Sequence, residues 1–171
     1  MTKAEFVALD LHDVTIQTFD SGKEAINTYL RRYAAKNMAL NLNRTFVLPV
    51  PQQTGKSHVA AFYTLALQTI VRADLPDPTQ LPRYPLPVIL LAQLGIDQRY
   101  QGRSLGAKTL VTALRHAWRL ASAPDGIAAM GVVLDVLDQD AARFYRHFDF
   151  FLPLSEQPDR LFCPIRSLES L

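Results

Sequence analysis

Cysteine is nearly missing from this chain. Cys163 is the one thiol in 171 residues, which excludes an internal disulfide and points to a reducing compartment. It sits in an apolar, strand-like run near the C-terminus, so it reads as a buried structural thiol rather than a nucleophile. The four histidines, His12, His58, His116 and His147, lack metal-ligand spacing, and no metal is expected. No apolar run approaches the length needed to span a membrane. The opening Met1-Thr2-Lys3-Ala4-Glu5-Phe6 carries an acid and lacks the apolar core of a secretion signal. A cytoplasmic protein with no membrane role is therefore expected. Internal repeats and low-complexity tracts are also lacking. With 49% hydrophobic and 20% charged residues, disorder is excluded. The length suits a single domain, residues 1–171, with a real core.

Acid is scarce in two long stretches. Between Ala25 and Ala73 there is none, against Arg31, Arg32, Lys36, Arg44, Lys56 and Arg72. Between Gln98 and Pro124 there is again none, against Arg99, Arg103, Lys108, Arg115 and Arg119. A net charge of only +2 thus conceals strong segregation, which suits either a positive face for a polyanion or separately solvated charges on different faces.

The pattern of what is present reads as mixed α and β. A short strand is predicted around Val14 to Thr18, and Asp20-Ser21-Gly22 reads as the start of a helix from about Lys23 to Asn37. Arg32 and Lys36, four residues apart, share a face of that helix. Arg44 to Val50 and His58 to Ile70 read as a hairpin around a turn marked by Pro49, Pro51 and Gly55. Asp74 to Pro87 is a loop with five prolines, Pro76, Pro78, Pro82, Pro85 and Pro87. Val88 to Ile96 is a continuous apolar strand of the doubly buried kind.

A helix follows, reaching about Ala121. At about 100° per residue, Leu110, Val111, Leu114, Ala117, Trp118 and Ala121 fall on one side and Lys108, Arg115 and Arg119 opposite. Ala128 to Val136 reads as another buried strand, Asp138 as an N-cap, and Ala141 to Phe148 as a short helix. Phe150 to Leu154 and Leu161 to Ile165 read as closing strands.

Two segments carry chemistry. The first is Gln101-Gly102-Arg103-Ser104-Leu105-Gly106-Ala107, between the apolar strand and the amphipathic helix. Strand, glycine-bearing turn and helix aim several unpartnered N–H groups at one spot, where the helix dipole adds positive charge and a phosphate fits. Arg99 and Arg103 flank that spot. On the residues alone, an ordinary two-glycine loop fits equally. Thr54-Gly55-Lys56-Ser57 resembles the end of a nucleotide-binding P-loop but is rejected, because Val50 stands where that motif needs its first glycine and a strand follows it.

The second segment is Ala141-Ala142-Arg143-Phe144-Tyr145-Arg146-His147-Phe148-Asp149-Phe150. Together the two resemble the GNAT acyltransferases, which carry Gln/Arg-x-x-Gly-x-Gly/Ala after one strand and Ala-x-x-Phe-Tyr-x-x-x-Gly-Phe after the next. The agreement runs from Thr45 onward. A narrower set is similar to the GNAT toxins of type II toxin–antitoxin systems. It comprises Phe19-Asp20-Ser21-Gly22, Phe62-Tyr63-Thr64-Leu65, Tyr84-Pro85-Leu86-Pro87, Leu91-Ala92-Gln93-Leu94-Gly95-Ile96-Asp97 and Arg160-Leu161-Phe162-Cys163-Pro164-Ile165.

The resemblance implies an α/β (α+β) GNAT fold, a central mixed twisted sheet flanked by helices, and acetyl transfer from acetyl-CoA to the α-amino group of aminoacyl-tRNA. It implies a cofactor site at Leu94, Gly95, Ile96, Arg99, Gln101, Gly102, Arg103, Ser104, Leu105, Gly106 and Ala107. Tyr145 is implied as the acid that protonates the leaving thiolate; as a residue it also reads as a packing aromatic beside Phe144 and Phe148. Arg31, Arg32, Lys36, Lys108, Arg115 and Arg119, with Arg99, would track the tRNA backbone. A ribbon-helix-helix antitoxin and a homodimer are the implied partners.

Two departures stand out. Ser104 replaces the first family glycine, and its Cβ narrows the approach to a pyrophosphate. Asp149 replaces the glycine before the final Phe; at a position needing positive φ, aspartate is among the better substitutes. Two other readings remain open at this point: a small amine or protein N-terminus as acceptor, and a binding module that has lost its chemistry.

Overall fold

The computed structural model describes residues 4–76 and 80–171. Pro78, one of the loop prolines, and Met1, Thr2 and Lys3 of the opening segment lie outside the described residues. The elements in chain order are β1 (Val7–Ala8), β2 (Val14–Thr15), α1 (Glu24–Thr28), a π-helical turn (Tyr29–Tyr33), α2 (Ala34–Ala39), β3 (Arg44–Val50) and β4 (Ser57–Ile70). Then come β5 (Leu86–Ile96), α3 (Leu105–Ser122), β6 (Gly131–Asp135), α4 (Gln139–Tyr145), β7 (Leu152–Leu154) and β8 (Gln157–Pro164). Strand order in the mixed sheet is β1-β3-β4-β5-β6-β8-β7, with β2 on β4. The chain forms two compact units, Met1–Ala66 with Gln93–Ala113, and Leu67–Ala92 with Leu114–Leu171.

In the first unit the predicted hairpin forms, Arg44 opposite Leu65 through Val50 opposite His58. Its register shifts between Leu48 and Pro49, where the proline has no N–H to give to the ladder. β1 joins β3 antiparallel and β2 joins β4 parallel. Thr45 and Thr64, buried opposite partners, satisfy each other through their hydroxyls at 2.7 Å. Phe19, Leu30, Ala34, Val47, Val59 and Phe62 form the core. The predicted first helix is present but is interrupted by the π turn, whose Tyr29 stacks on Phe62 at 6.3 Å. A reading at one fixed angular period cannot register such a local change of pitch, and π turns concentrate at functional places.

In the second unit β5 and β6 run parallel, Ile89 opposite Val132, with α3 between them in sequence. Parallel neighbours need such a crossover. β8 pairs antiparallel with both β6 and β7. Ile70, Leu75, Leu86, Val88, Val133, Leu154 and Phe162 make this unit's core. Opposite Asp135 in register stands Arg160, whose guanidinium forks onto the Asp135 carboxylate at 2.7 and 2.8 Å and reaches Gln68 Oε1 at 3.0 Å. β8 begins at Gln157, four residues before the predicted start at Leu161. The polar residues 157–160 lack strand-like composition, and pairing with β6 and β7 makes them strand. β6 is shorter than predicted, starting at Gly131.

On α3 the predicted division is partly realised, with Val111, Trp118 and Ala121 only half-buried. Leu110, Leu114 and Ala117 are buried, while Lys108, Arg115 and Arg119 are exposed. Cys163 is buried, and that burial pushes its thiol up to about 12, far from nucleophilic use. No helix of the described residues is long and apolar enough to cross a membrane.

Candidate functional site

The first unit assembles the glycine loop. β5 ends at Ile96, a 3-10 turn covers Gln98–Tyr100, and α3 begins at Leu105. Gly102 and Ser104 both lie in the left-handed region, at φ 76° and 61°. Two left-handed residues so close together reverse the chain sharply and turn successive N–H groups to one side. The first helical bond of α3 runs from the Lys108 N–H to the Ser104 carbonyl at 3.1 Å, so the N–H groups of Leu105, Gly106 and Ala107 precede the ladder. Arg103 is exposed and Arg99 about half exposed beside them. Gly95 is buried, and a Cβ there would stand 2.7 Å from both Ile26 and Phe62. Only a glycine lets β5 lie this close to α1 and the core aromatics.

Ser104 therefore departs from the family glycine for a second reason besides its size. A left-handed backbone costs a non-glycine residue about 1–2 kcal/mol, so Ser104 carries local strain.

Two predicted cofactor residues are held by hydrogen bonds within the protein. The Gln101 side chain donates to the carbonyls of Ser21 and Ile96, both at 2.9 Å, and so staples the loop to the segment before α1. Arg99 Nε and Nη2 fork onto the Asp97 carboxylate at 2.8 and 2.9 Å. Asp97, 1% exposed, also accepts from the N–H groups of Arg99 at 3.0 Å and Asp20 at 3.1 Å. Burial opposes its ionisation, but the bonds from Arg99 and Asp20 outweigh this and hold its carboxyl below the usual range.

Next along the turn, the Tyr100 hydroxyl meets His58 Nε2 at 2.5 Å. Burial, and then the Arg99 charge, keep His58 below its ordinary value and so neutral at pH 7. Residue spacing did not single out Asp97, His58 or Tyr100 as site residues. The usable signal was an acid placed at the very end of an apolar strand, just before the long acid-free stretch.

One predicted cation is corrected. Arg31 is turned inward: its Nη2 donates to the Phe19 carbonyl, and its Nε is buried with no partner among the described residues. Arg32 and Lys36 are exposed, as is Lys108. Helical spacing shows which residues share a face but not which arginine folds back over a neighbouring loop.

The second unit carries Tyr145. Asp138 caps α4 as predicted, accepting from the Ala141 N–H at 2.9 Å, and Tyr145 is the last residue of that helix. The helix ends there rather than at Phe148. Tyr145 is 8% exposed and lies edge-on to Phe144 at 5.1 Å and Phe151 at 5.7 Å. Phe151 carries no signal in the sequence, because an aromatic beside Phe150 in a predicted strand reads as ordinary packing. Burial pushes the Tyr145 phenol up to about 12, so its proton stays in place through neutral pH. Asp149 is exposed and does not take a positive φ, so the backbone demand imagined for that position is absent. Arg115 and Arg119 are both exposed; Arg115 Nε donates to the Leu171 carbonyl at 2.8 Å.

No protein-family model matches the chain. A tRNA-acetylating toxin of Mycobacterium tuberculosis (strain ATCC 25618 / H37Rv) is 36% identical over 143 residues, 82% of this chain and 80% of that protein. AtaT complexed with acetyl-methionyl-tRNAfMet has a TM-score of 0.84 at 27% identity, covering 97% of both chains. A tyrosine-to-phenylalanine mutant of AtaT, bound to the C-terminus of the antitoxin AtaR and to acetyl-CoA, has a TM-score of 0.80 at 26% identity, covering 97% of this chain and 96% of that one. The loop between β5 and α3, the tyrosine at the end of α4 and this agreement over nearly the whole length place the chain in the GNAT-fold family of tRNA-acetylating toxins.

Proposed function

We propose that this chain is an acetyl-CoA-dependent toxin that acetylates the α-amino group of aminoacyl-tRNA and so blocks translation, acting in the cytoplasm as a single acetyltransferase domain. The observation that carries the reading is the loop from Gln101 to Ala107. Its left-handed Gly102 and Ser104, the unladdered N–H groups of Leu105 to Ala107 and the flanking Arg99 and Arg103 fit a pyrophosphate. The absence of acid from Gln98 to Pro124 keeps that region free of repulsion. Acetyl-CoA, when bound, supplies an activated thioester.

The chain's own residues do the rest. Backbone groups of Leu94, Gly95 and Ile96 orient the acyl carbonyl at the end of β5. The acceptor needs no strong base, because an α-amino group titrates near 7.7–8.0 and is substantially neutral at pH 7.5. As the amine nitrogen bonds to the acyl carbon and the C–S bond breaks, Tyr145 would donate its phenolic proton to the leaving sulfur, and the proton released by the amine nitrogen would restore the phenol through solvent. Burial keeps that proton on Tyr145 until the thiolate forms beside it. Phosphates of the acceptor stem are held by Arg32, Lys36, Lys108, Arg115 and Arg119, which position the tRNA without reading sequence. A ribbon-helix-helix antitoxin would neutralise the toxin, and a homodimer is the working assembly.

The test is transfer of radiolabelled acetyl from acetyl-CoA to bulk charged tRNA, with uncharged tRNA as control. Label on charged tRNA alone is expected. Binding of acetyl-CoA without label on tRNA would replace the acceptor with another amine, and loss of both would leave a GNAT fold without its chemistry.

A further inference from the structure

Asp97 has no part in the chemistry just described, yet it is among the most buried charged groups of the first unit, at 1% exposure. Its two oxygens receive bonds from Asp20 N, Arg99 N, Arg99 Nε and Arg99 Nη2, between 2.8 and 3.1 Å. A carboxylate this buried survives only when paired and hydrogen-bonded. Arg99, by contrast, leaves 48% of its side chain exposed. The two N–H groups given to Asp97 fix the plane of its guanidinium fork. Nη1 takes no part in that fork, on a side chain left about half exposed, two residues in sequence from the Gln101 staple and five from Ser104.

We infer that Asp97 is a positioning residue for the cofactor site: it clamps the Arg99 fork so that its outer edge is presented to a phosphate group of the nucleotide end of CoA. The inference rests on reading the Gln101–Ala107 loop as the pyrophosphate site. A phosphate is matched in planar geometry by an arginine fork, and a fork already oriented loses little freedom on binding. A carboxylate beside an anion site weakens its positive field. The arrangement therefore makes sense only if orientation outweighs charge, and this makes the inference open to disproof.

The same Asp97 ties this edge to the N-terminal segment. The Asp20 N–H donates to Asp97, the Gln98 N–H donates to the Asp20 carbonyl at 2.8 Å, and the Asp97 N–H donates to the Ala60 carbonyl at 2.9 Å. The clamp is thus anchored to Ala60 of β4 and to the loop before α1, both within the first unit.

Calorimetric titration with CoA tests this without any acceptor. Asp97→Asn keeps the shape but removes the charge-assisted pairing, and CoA affinity is expected to fall about tenfold. Arg99→Ala should fall by a similar factor. The double variant should fall no further than either single one, because Asp97 acts through Arg99. Additive losses, or CoA binding that is unchanged or tighter in Asp97→Asn, would overturn the inference.

Arg99→Lys covers the case in which Asp97→Asn does not fold. It keeps the charge and loses the fork, so CoA affinity is expected to fall severalfold, and wild-type affinity would overturn the inference. Wild-type protein that binds no CoA would overturn the loop reading as well.

Discussion

In the first unit, the stretch from Asp97 to Ala107 is polar, mostly exposed and held by side-chain hydrogen bonds at Asp97, Arg99 and Gln101. In the second, Tyr145 is nearly sealed between Phe144 and Phe151. On the proposed reading, a loop that meets a multiply charged phosphate ester needs donors that water can reach until the ligand displaces it. Its order therefore comes from side-chain staples such as Gln101 and the Asp97–Arg99 fork. A proton donor needs its proton retained, and low-dielectric burial does this without any partner charge. One region is tuned by hydrogen-bond geometry and the other by exclusion of water.

The contrast can be broken most severely at Tyr145. Tyr145→Phe keeps the ring packing and is expected to lower acetyl transfer by about 10²–10⁴-fold, with CoA affinity nearly unchanged. Stopped-flow turnover and calorimetry on the same preparation check both halves, and near-normal turnover would remove Tyr145 from the mechanism. The same variant reports on burial. Because the folded phenol sits at about 12, above the unfolded value of about 10, the stability it contributes is complete below pH 10 and is lost as pH rises toward 12. Wild-type protein should therefore lose about 2–3 kcal/mol more than Tyr145→Phe between those limits, measured by denaturant unfolding across the range.

A smaller effect is expected on the cationic face of α3. Reversing Arg115 and Arg119 to Glu should weaken acetylation of charged tRNA and reduce its salt slope by about 2, while CoA affinity holds. Equal loss of acetylation and CoA affinity would reduce these arginines to supports of the fold, the role in which Arg115 bonds the Leu171 carbonyl.

The smallest effect sharpens the loop side. Ser104→Gly removes a Cβ from a left-handed position and should raise stability by about 1 kcal/mol. It should also tighten CoA binding, measured by thermal unfolding and titration. Lower stability would mean that Ser104 is held there by something other than backbone demand.

Much of this was legible beforehand. The β3–β4 hairpin, the apolar β5, the amphipathic α3 and the Asp138 cap all follow from local pattern, because alternation, periodicity and capping are short-range rules. The loop and Tyr145 stand out in the sequence as motifs, and on the proposed reading a phosphate turn and a proton donor would constrain residue type within a few positions. What escaped was long-range: the inward turn of Arg31, Phe151 against Tyr145, and the polar start of β8.

By itself the sequence determined the order of the main elements from β3 onward and the segregation of cations from acids. Only the tertiary structure decided which charges are spoken for. Asp97, Asp20 and Gln98 become partners because β5 ends beside the loop before α1, with Ile26 and Phe62 close against Gly95. A sequence records the pKa a group starts with, but its final protonation and direction depend on burial and on donors up to 77 residues away.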